Sequence, residues 1–316
     1  MKAMVIYAFG GPEVLILQDV PEHPPRNHEV LVRVHATSVN ALDCSGRRGQ
    51  RAVPLPAILG CDVSGVIETI GAEVEDFTPG DEVFYVPEID SGNGSYAEFH
   101  VARAGIVAHK PVDLSHVEAA GIPLAAGTAW EGLIRRAALQ PGETLLVHGS
   151  GPVALFATQI ASAAGAQVFM TATSGTTAPG KGASAARVIN RATEDFVRVI
   201  QTESTDGAVD VVFDASGDTA LERSISVLKA FGRMVSTTKP LGGVPEESVL
   251  RNITHHFVHV EPERTRLDML RVLLQRKQLL PVIDSVYPIC EAAAAHRLVE
   301  TATPWGKVIL RVVGDD

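Results

Sequence analysis

Residues 149 to 154 read Gly-Ser-Gly-Pro-Val-Ala, the rhythm G-x-G-x-x-G of a loop that cradles a dinucleotide pyrophosphate, with alanine in place of the last glycine. Each residue has a task in such a loop. Gly149 permits a tight turn, and Gly151 lets the backbone approach the diphosphate. The unpaired N–H groups at the N-terminus of the following helix meet its charge. Ser150 lies between the two glycines. Pro152 suits the first helical position because its φ is already helical. Val153 opens an apolar stripe, and Ala154 stands where the demand is close packing of helix on strand, which a methyl allows. A strand-to-helix turn without ligand is the other reading of the same residues.

Which dinucleotide follows from the end of the next strand. An NAD site places Asp or Glu there to bind the adenosine ribose, whereas here QVFMTA ends in Thr173 and Ser174, with Lys181 beyond. A carboxylate would repel a 2′-phosphate, and hydroxyls with an ammonium would accept one, so NADPH is the expected cofactor. Lys181 taken alone reads equally well as a solvated loop residue. Thr237 and Thr238 follow a later strand at its carboxyl end, where ligands bind in parallel sheets, and join the cofactor candidates.

These residues need a scaffold, and the chain from about residue 119 supplies its pattern. Short apolar runs predict strands at Thr144–His148, Gln167–Ala172, Ala186–Asn190, Val209–Asp214, Arg233–Thr237 and His256–Val260, with helical segments between most of them. Parallel strands need such crossovers, so the expected fold is α/β with a doubly wound parallel sheet of six strands, a Rossmann domain over residues 119–262. Before it, residues 1–118 carry short Val- and Ile-rich runs punctuated by GGPE, PGD and SGNG, the pattern of a compact β-barrel. Residues 263–316 end in the strand KVILRVV, which the reading returns to the first domain.

Composition narrows the partners. A net charge of -10 opposes nucleic acid, whose binding draws on clustered Lys and Arg. No apolar run reaches membrane-spanning length. Three cysteines, Cys44, Cys61 and Cys290, are too few and too irregularly spaced for a disulfide framework, and a reducing cytoplasm is the expected compartment.

The chain resembles the zinc-independent quinone oxidoreductases related to ζ-crystallin, within the medium-chain dehydrogenase/reductase superfamily. The likeness rests on MKAMVIYAFGGPEVL, SVNALD at Ser38–Asp43, PAILGCDVSGVIETIG followed by PGDEVF, GSYAEF, AAGIPLAAGTAWEGL, DVVFDASGD and GKVILRV, and so runs over nearly the whole chain. It implies a GroES-like barrel with catalytic residues beside the Rossmann domain. In the zinc alcohol dehydrogenases of the superfamily a cysteine begins the element that here reads Asn40-Ala41-Leu42-Asp43, and a histidine occupies the Gly-His-Glu that here reads Gly60-Cys61-Asp62. The resemblance therefore implies no metal. It places Asn40 near the nicotinamide ribose or the substrate and Thr128 near the carboxamide. Asn40 is otherwise a residue that ties its own loop, and Thr128 otherwise bonds back along its helix.

Without a Lewis acid, the expected reaction is hydride transfer from NADPH to a small-molecule quinone. Reduction of an enone or enoyl thioester is the alternative within enzymes, and NADPH binding with little turnover, in a structural or sensing role, is the alternative outside them. The loop CSGRRGQRAVPLP lacks the tyrosine of many related reductases. Its Arg47, Arg48 and Arg51 read either as a solvated basic surface or as a site for an anionic acceptor. A homodimer formed by edge-strand pairing is expected by analogy.

Overall fold

The computed structural model describes residues 1–88, 90–173, 183–217, 220–238, 243, 245–301 and 304–313. The chain divides into two compact units, one of Met1–Leu124, Glu261–Gln275 and Pro281–Asp316, the other of Ala125–Val260 and Arg276–Leu280.

In the first unit the β-branched runs form sheets, as their pleat-fitting side chains favour. The long strand Glu29–Val39 is central: it pairs antiparallel with Val63–Ile70, with Phe99–Arg103 and with the closing strand Lys307–Arg311. That last pairing sets Val308 opposite Val39 and Ile309 opposite Ser38. The C-terminal strand thus belongs to the first unit. A short helix α1, Ala41–Arg47, follows the central strand. Met4, Ile6, Val39, Tyr96, Val308 and Leu310 pack in the core beneath it.

In the second unit, six parallel strands form one sheet: β1 Thr144–His148, β2 Gln167–Ala172, β3 Arg187–Asn190, β4 Val209–Asp214, β5 Leu228–Ser236 and β6 Thr254–Phe257. Their order is β3-β2-β1-β4-β5-β6, that of a dinucleotide-binding Rossmann sheet. The strand predicted at His256–Val260 begins earlier and stops at Phe257. Its register against β5 pairs Arg233 with Thr254 and Ser236 with Phe257, so the ladder ends where β5 ends. Helix α2, Pro152–Ala163, leads from β1 to β2. Phe156, Ala157, Ile160 and Ala161 of its predicted stripe are buried, each large apolar side chain contributing about 1.5–3 kcal/mol.

Candidate functional site: the glycine turn and the buried Asn40 cluster

The turn after β1 has the geometry that its glycines require. Gly149 adopts φ +109°, and a side chain there would meet Ala215 and Ser216 at 3.4–3.5 Å. Gly151 caps α2 in an extended conformation with open space where a Cβ would stand. Pro152 takes the first helical position, Val153 is half-buried, and Ser150 and Ala154 are buried. Full burial of Ala154 accords with a position that exists for packing. The first helical bond runs from Leu155 N–H to the Gly151 carbonyl, which leaves the earlier N–H groups of the turn without intrahelical acceptors.

Other strand ends converge beside this turn. Asp214, buried at the end of β4, accepts from the Ser216 N–H at 2.9 Å and the Ser216 hydroxyl at 2.7 Å, folding residues 214–217 against Gly149. Thr237 donates its N–H and its hydroxyl to the Asp214 carbonyl at 3.0 and 3.2 Å. Thr238 lies against Gly217. The fold thus brings Gly149 together with Thr237 and Thr238 across the carboxyl ends of three adjacent strands. Thr173 is exposed just past β2, with no carboxylate at that strand end. Ser174 and Lys181 lie outside the described residues. Thr128 is half-buried in the helix Pro123–Trp130.

In the first unit, Asn40 belongs to a dense polar cluster at the junction of the central strand and α1. Its backbone N–H donates to Asp43 Oδ2 at 2.8 Å, and its amide Nδ2 donates to Asp62 Oδ2 at 2.9 Å and Asp43 Oδ2 at 3.2 Å. Lys307 Nζ donates to Asn40 Oδ1 at 2.5 Å and to Asp62 Oδ2 at 3.3 Å. Asp62 also accepts from the Ser38 hydroxyl and, at 2.7 Å, from the Leu124 N–H. Asp43 Oδ1 accepts from the Gly60 N–H and the Cys61 thiol, both at 3.0 Å. Asp43, Asp62 and Lys307 are buried, while Asn40 is half-buried. Burial raises the Asp43 carboxyl above its ordinary pKa against the pull of these donors. The Asn40 side chain thus bonds side chains of the central strand's end, of α1, of the segment at Asp62 and of the closing strand.

The three arginines of the following loop are occupied. Arg47 is fully buried, donating to the Gly10 carbonyl at 3.1 Å and pairing with Glu300. Arg48 bonds the Cys44 carbonyl at 3.3 Å and Glu300 at 3.4 Å, and Arg51 pairs with Asp90. Both readings of this trio are corrected for Arg47: its guanidinium is neither solvated nor at the surface, being buried against the Glu300 carboxylate.

The cluster's donors differ from a catalytic zinc's ligand set. A catalytic zinc needs three protein ligands and an open position, and among the described residues no group of three His, Cys, Asp or Glu could hold a metal ion. Asn40 offers an amide, and an ammonium already sits against Asp62. Burial and the neighbouring Asp43 push the Cys61 thiol well above its ordinary pKa, and it donates to Asp43 Oδ1.

Known proteins with these elements are readily found. Residues 26–112 match the alcohol dehydrogenase GroES-like domain, and residues 183–310 match the family described as zinc-binding dehydrogenase. The rat (Rattus norvegicus) quinone oxidoreductase is 32% identical over 98% of this chain and 97% of its own. The chain belongs to the quinone oxidoreductase branch of the medium-chain dehydrogenase/reductase family. Among solved structures, the quinone oxidoreductase from Coxiella burnetii superposes with a TM-score of 0.89 at 31% identity, covering 99% of each chain. A structure described as an NAD-dependent alcohol dehydrogenase gives a TM-score of 0.91 at 31% identity over 99% of this chain and all of its own. For a medium-chain dehydrogenase/reductase, the Rossmann fold implies a nicotinamide cofactor, NAD or NADP, and the turn at Gly149–Ala154 fits one. Membership makes the protein an oxidoreductase.

Sequence reasoning missed Lys307. A lysine opening an apolar strand reads as a solvent-facing residue, and only the pairing of that strand with the segment before Asn40 reveals its place. Ser38 and Asp43 were visible within SVNALD as part of the resemblance, but not as partners of Asp62 and Asn40.

Proposed function

We propose that this protein is an NADPH-dependent quinone oxidoreductase working without a metal. The observation that carries the reading is the cluster of Asn40, Asp62 and Lys307: Asn40 stands where zinc relatives carry a cysteine, and its amide is held between the Asp62 carboxylate and the Lys307 ammonium. A reaction without a Lewis acid favours an acceptor that needs little polarisation. When bound, NADPH supplies the hydride. The chain holds the diphosphate at Gly149–Ala154 and the helix N-terminus behind it. Asn40 and Thr128 orient the reacting groups through their amide and hydroxyl, and distance and alignment account for the rate. The product hydroquinone takes its remaining proton from water. The absence of Asp or Glu at the end of β2 supports NADPH over NADH.

The same reading takes the protein to be a cytoplasmic homodimer. Free thiols at Cys44, Cys61 and Cys290 suit a reducing compartment, and β6, with no further strand beside it among the described residues, would pair with a second copy. No described helix is long and apolar enough to cross a membrane.

The test is oxidation of NADPH and NADH with 1,4-benzoquinone, 9,10-phenanthrenequinone and crotonyl-CoA in parallel, with metal analysis of the purified protein. Expected are turnover with the quinones, at least a tenfold preference for NADPH, and substoichiometric zinc. Turnover confined to crotonyl-CoA would replace the reading with an enoyl reductase. Saturable NADPH binding with no turnover would replace it with a binding protein, and activity that needs stoichiometric zinc would overturn the metal-free mechanism.

A further inference from the structure

We infer that Lys307 is a positioning residue whose ammonium sets the orientation of the Asn40 amide. The inference rests on the reading of Asn40 as a residue of the reacting site. A buried ammonium is costly unless paired and hydrogen-bonded, and the Lys307 side chain is 2% exposed. Charge balance for Asp62 is an insufficient account of it. Nζ stands 3.3 Å from Asp62 but 2.5 Å from Asn40 Oδ1, so the amide oxygen is its nearer partner.

The chemistry leaves the amide one orientation. An ammonium has three donors and no lone pair, so Asn40 must turn its oxygen toward Lys307. Asp43 and Asp62 accept from backbone N–H groups of Asn40, Gly60 and Leu124, so the NH2 turns toward these acceptors, at 2.9 Å from Asp62 and 3.2 Å from Asp43. A flip of 180° would set oxygen against two carboxylates and NH2 against an ammonium. Lys307 is itself held by backbone. Its N–H donates to the Val282 carbonyl at 2.7 Å, a side chain at Gly306 would strike that same carbonyl at 2.5 Å, and the register of Val308 on Val39 sets Lys307 beside the Ser38–Asn40 segment. A residue 267 positions away thereby decides which face Asn40 presents.

The experiment is a double-mutant cycle of Lys307→Met with Asn40→Ala, read by kcat with 9,10-phenanthrenequinone and NADPH and by NMR of the 15N-labelled side-chain amides. The Asn40 signals are identified by their loss in Asn40→Asp. Lys307→Met is expected to lower kcat about 10- to 100-fold, the size of a small misplacement, with KM for NADPH within about threefold. Asn40→Ala/Lys307→Met should be no slower than Asn40→Ala alone, because coupled residues are not additive. The Asn40 NH2 protons should exchange with water at least about tenfold faster in Lys307→Met, and Lys307→Gln, which keeps a donor, should restore part of both readouts. An equal loss of kcat in the Asn40→Ala background, or unchanged Asn40 amide signals, would overturn the inference. Should Lys307→Met not fold, Lys307→Met/Asp62→Asn removes both charges and carries the same readouts. Wild-type protein inactive on every acceptor would defeat the proposed function alone, since the amide signals still decide the role of Lys307.

Discussion

Gly149 and Gly151 have different tasks in the motif and different backbone conformations in the structure. Gly149 sits at φ +109°, a conformation that costs an L-residue about 1–3 kcal/mol, so Gly149→Ala should lower the urea midpoint as well as cofactor affinity. Gly151 has ordinary dihedrals and open space where a Cβ would stand. Gly151→Ala should therefore change stability by less than about 1 kcal/mol and yet weaken NADPH binding at least tenfold, because the new methyl stands where the diphosphate approaches. Fluorescence titration of NADPH beside urea denaturation checks the pair. Equal effects of the two substitutions on stability would refute the division of labour. The spacing of the motif was legible in the sequence, but the φ angle that separates its two glycines comes from the chain folding back against Ala215.

Among the elements, α1 gained most from tertiary structure. Its sequence, ALDCSGR, ends in an arginine that reads as surface, yet Arg47 is buried and joins α1 to the helix Ala292–Thr301 through Glu300. Removing one partner of a buried pair strands the other, and because Glu300 keeps some water, Arg47→Ala should cost roughly 2–4 kcal/mol. The ratio of kcat/KM for anionic and neutral quinones should stay within about twofold, whereas a selective loss for anionic acceptors would revive the binding role. Five of the six Rossmann strands fell where alternating apolar runs predicted them, with ends adjusted by a few residues. β6 shifted because a strand ends where its neighbour ends, and that is a property of a pair.

For the molecule as a whole, buried titratable groups make stability depend on pH. Burial lowers His100 and His116 to about 4 and His296, beside Arg47 and Arg48, to about 3, against about 6.5 in an unfolded chain. Between pH 6.5 and about 4 the unfolded chain binds protons that the folded chain refuses, so stability falls as pH falls. Asp43 works in the opposite sense, since its raised carboxyl takes a proton earlier in the fold than out of it. On the alkaline side, burial pushes Cys44 up to about 12 and Cys61 well up, so stability also falls once unfolded thiols ionise. Urea titrations should give the highest midpoints between about pH 7 and 8.5 and lose several kcal/mol by pH 5, as each tenfold change in proton affinity is worth about 1.4 kcal/mol. A midpoint unchanged from pH 7.5 to pH 5 would contradict the burial of these histidines. The sequence by itself determined the two kinds of domain, the glycine turn and the lack of an acid after β2, because periodicity and turn chemistry act between residues close in the chain. The tertiary structure alone decided that Lys307 meets Asn40, that Arg47 is internal and that Cys61 is a donor, because a side chain's charge and hydrogen bonds are fixed by neighbours that arrive from 18 to more than 250 residues away.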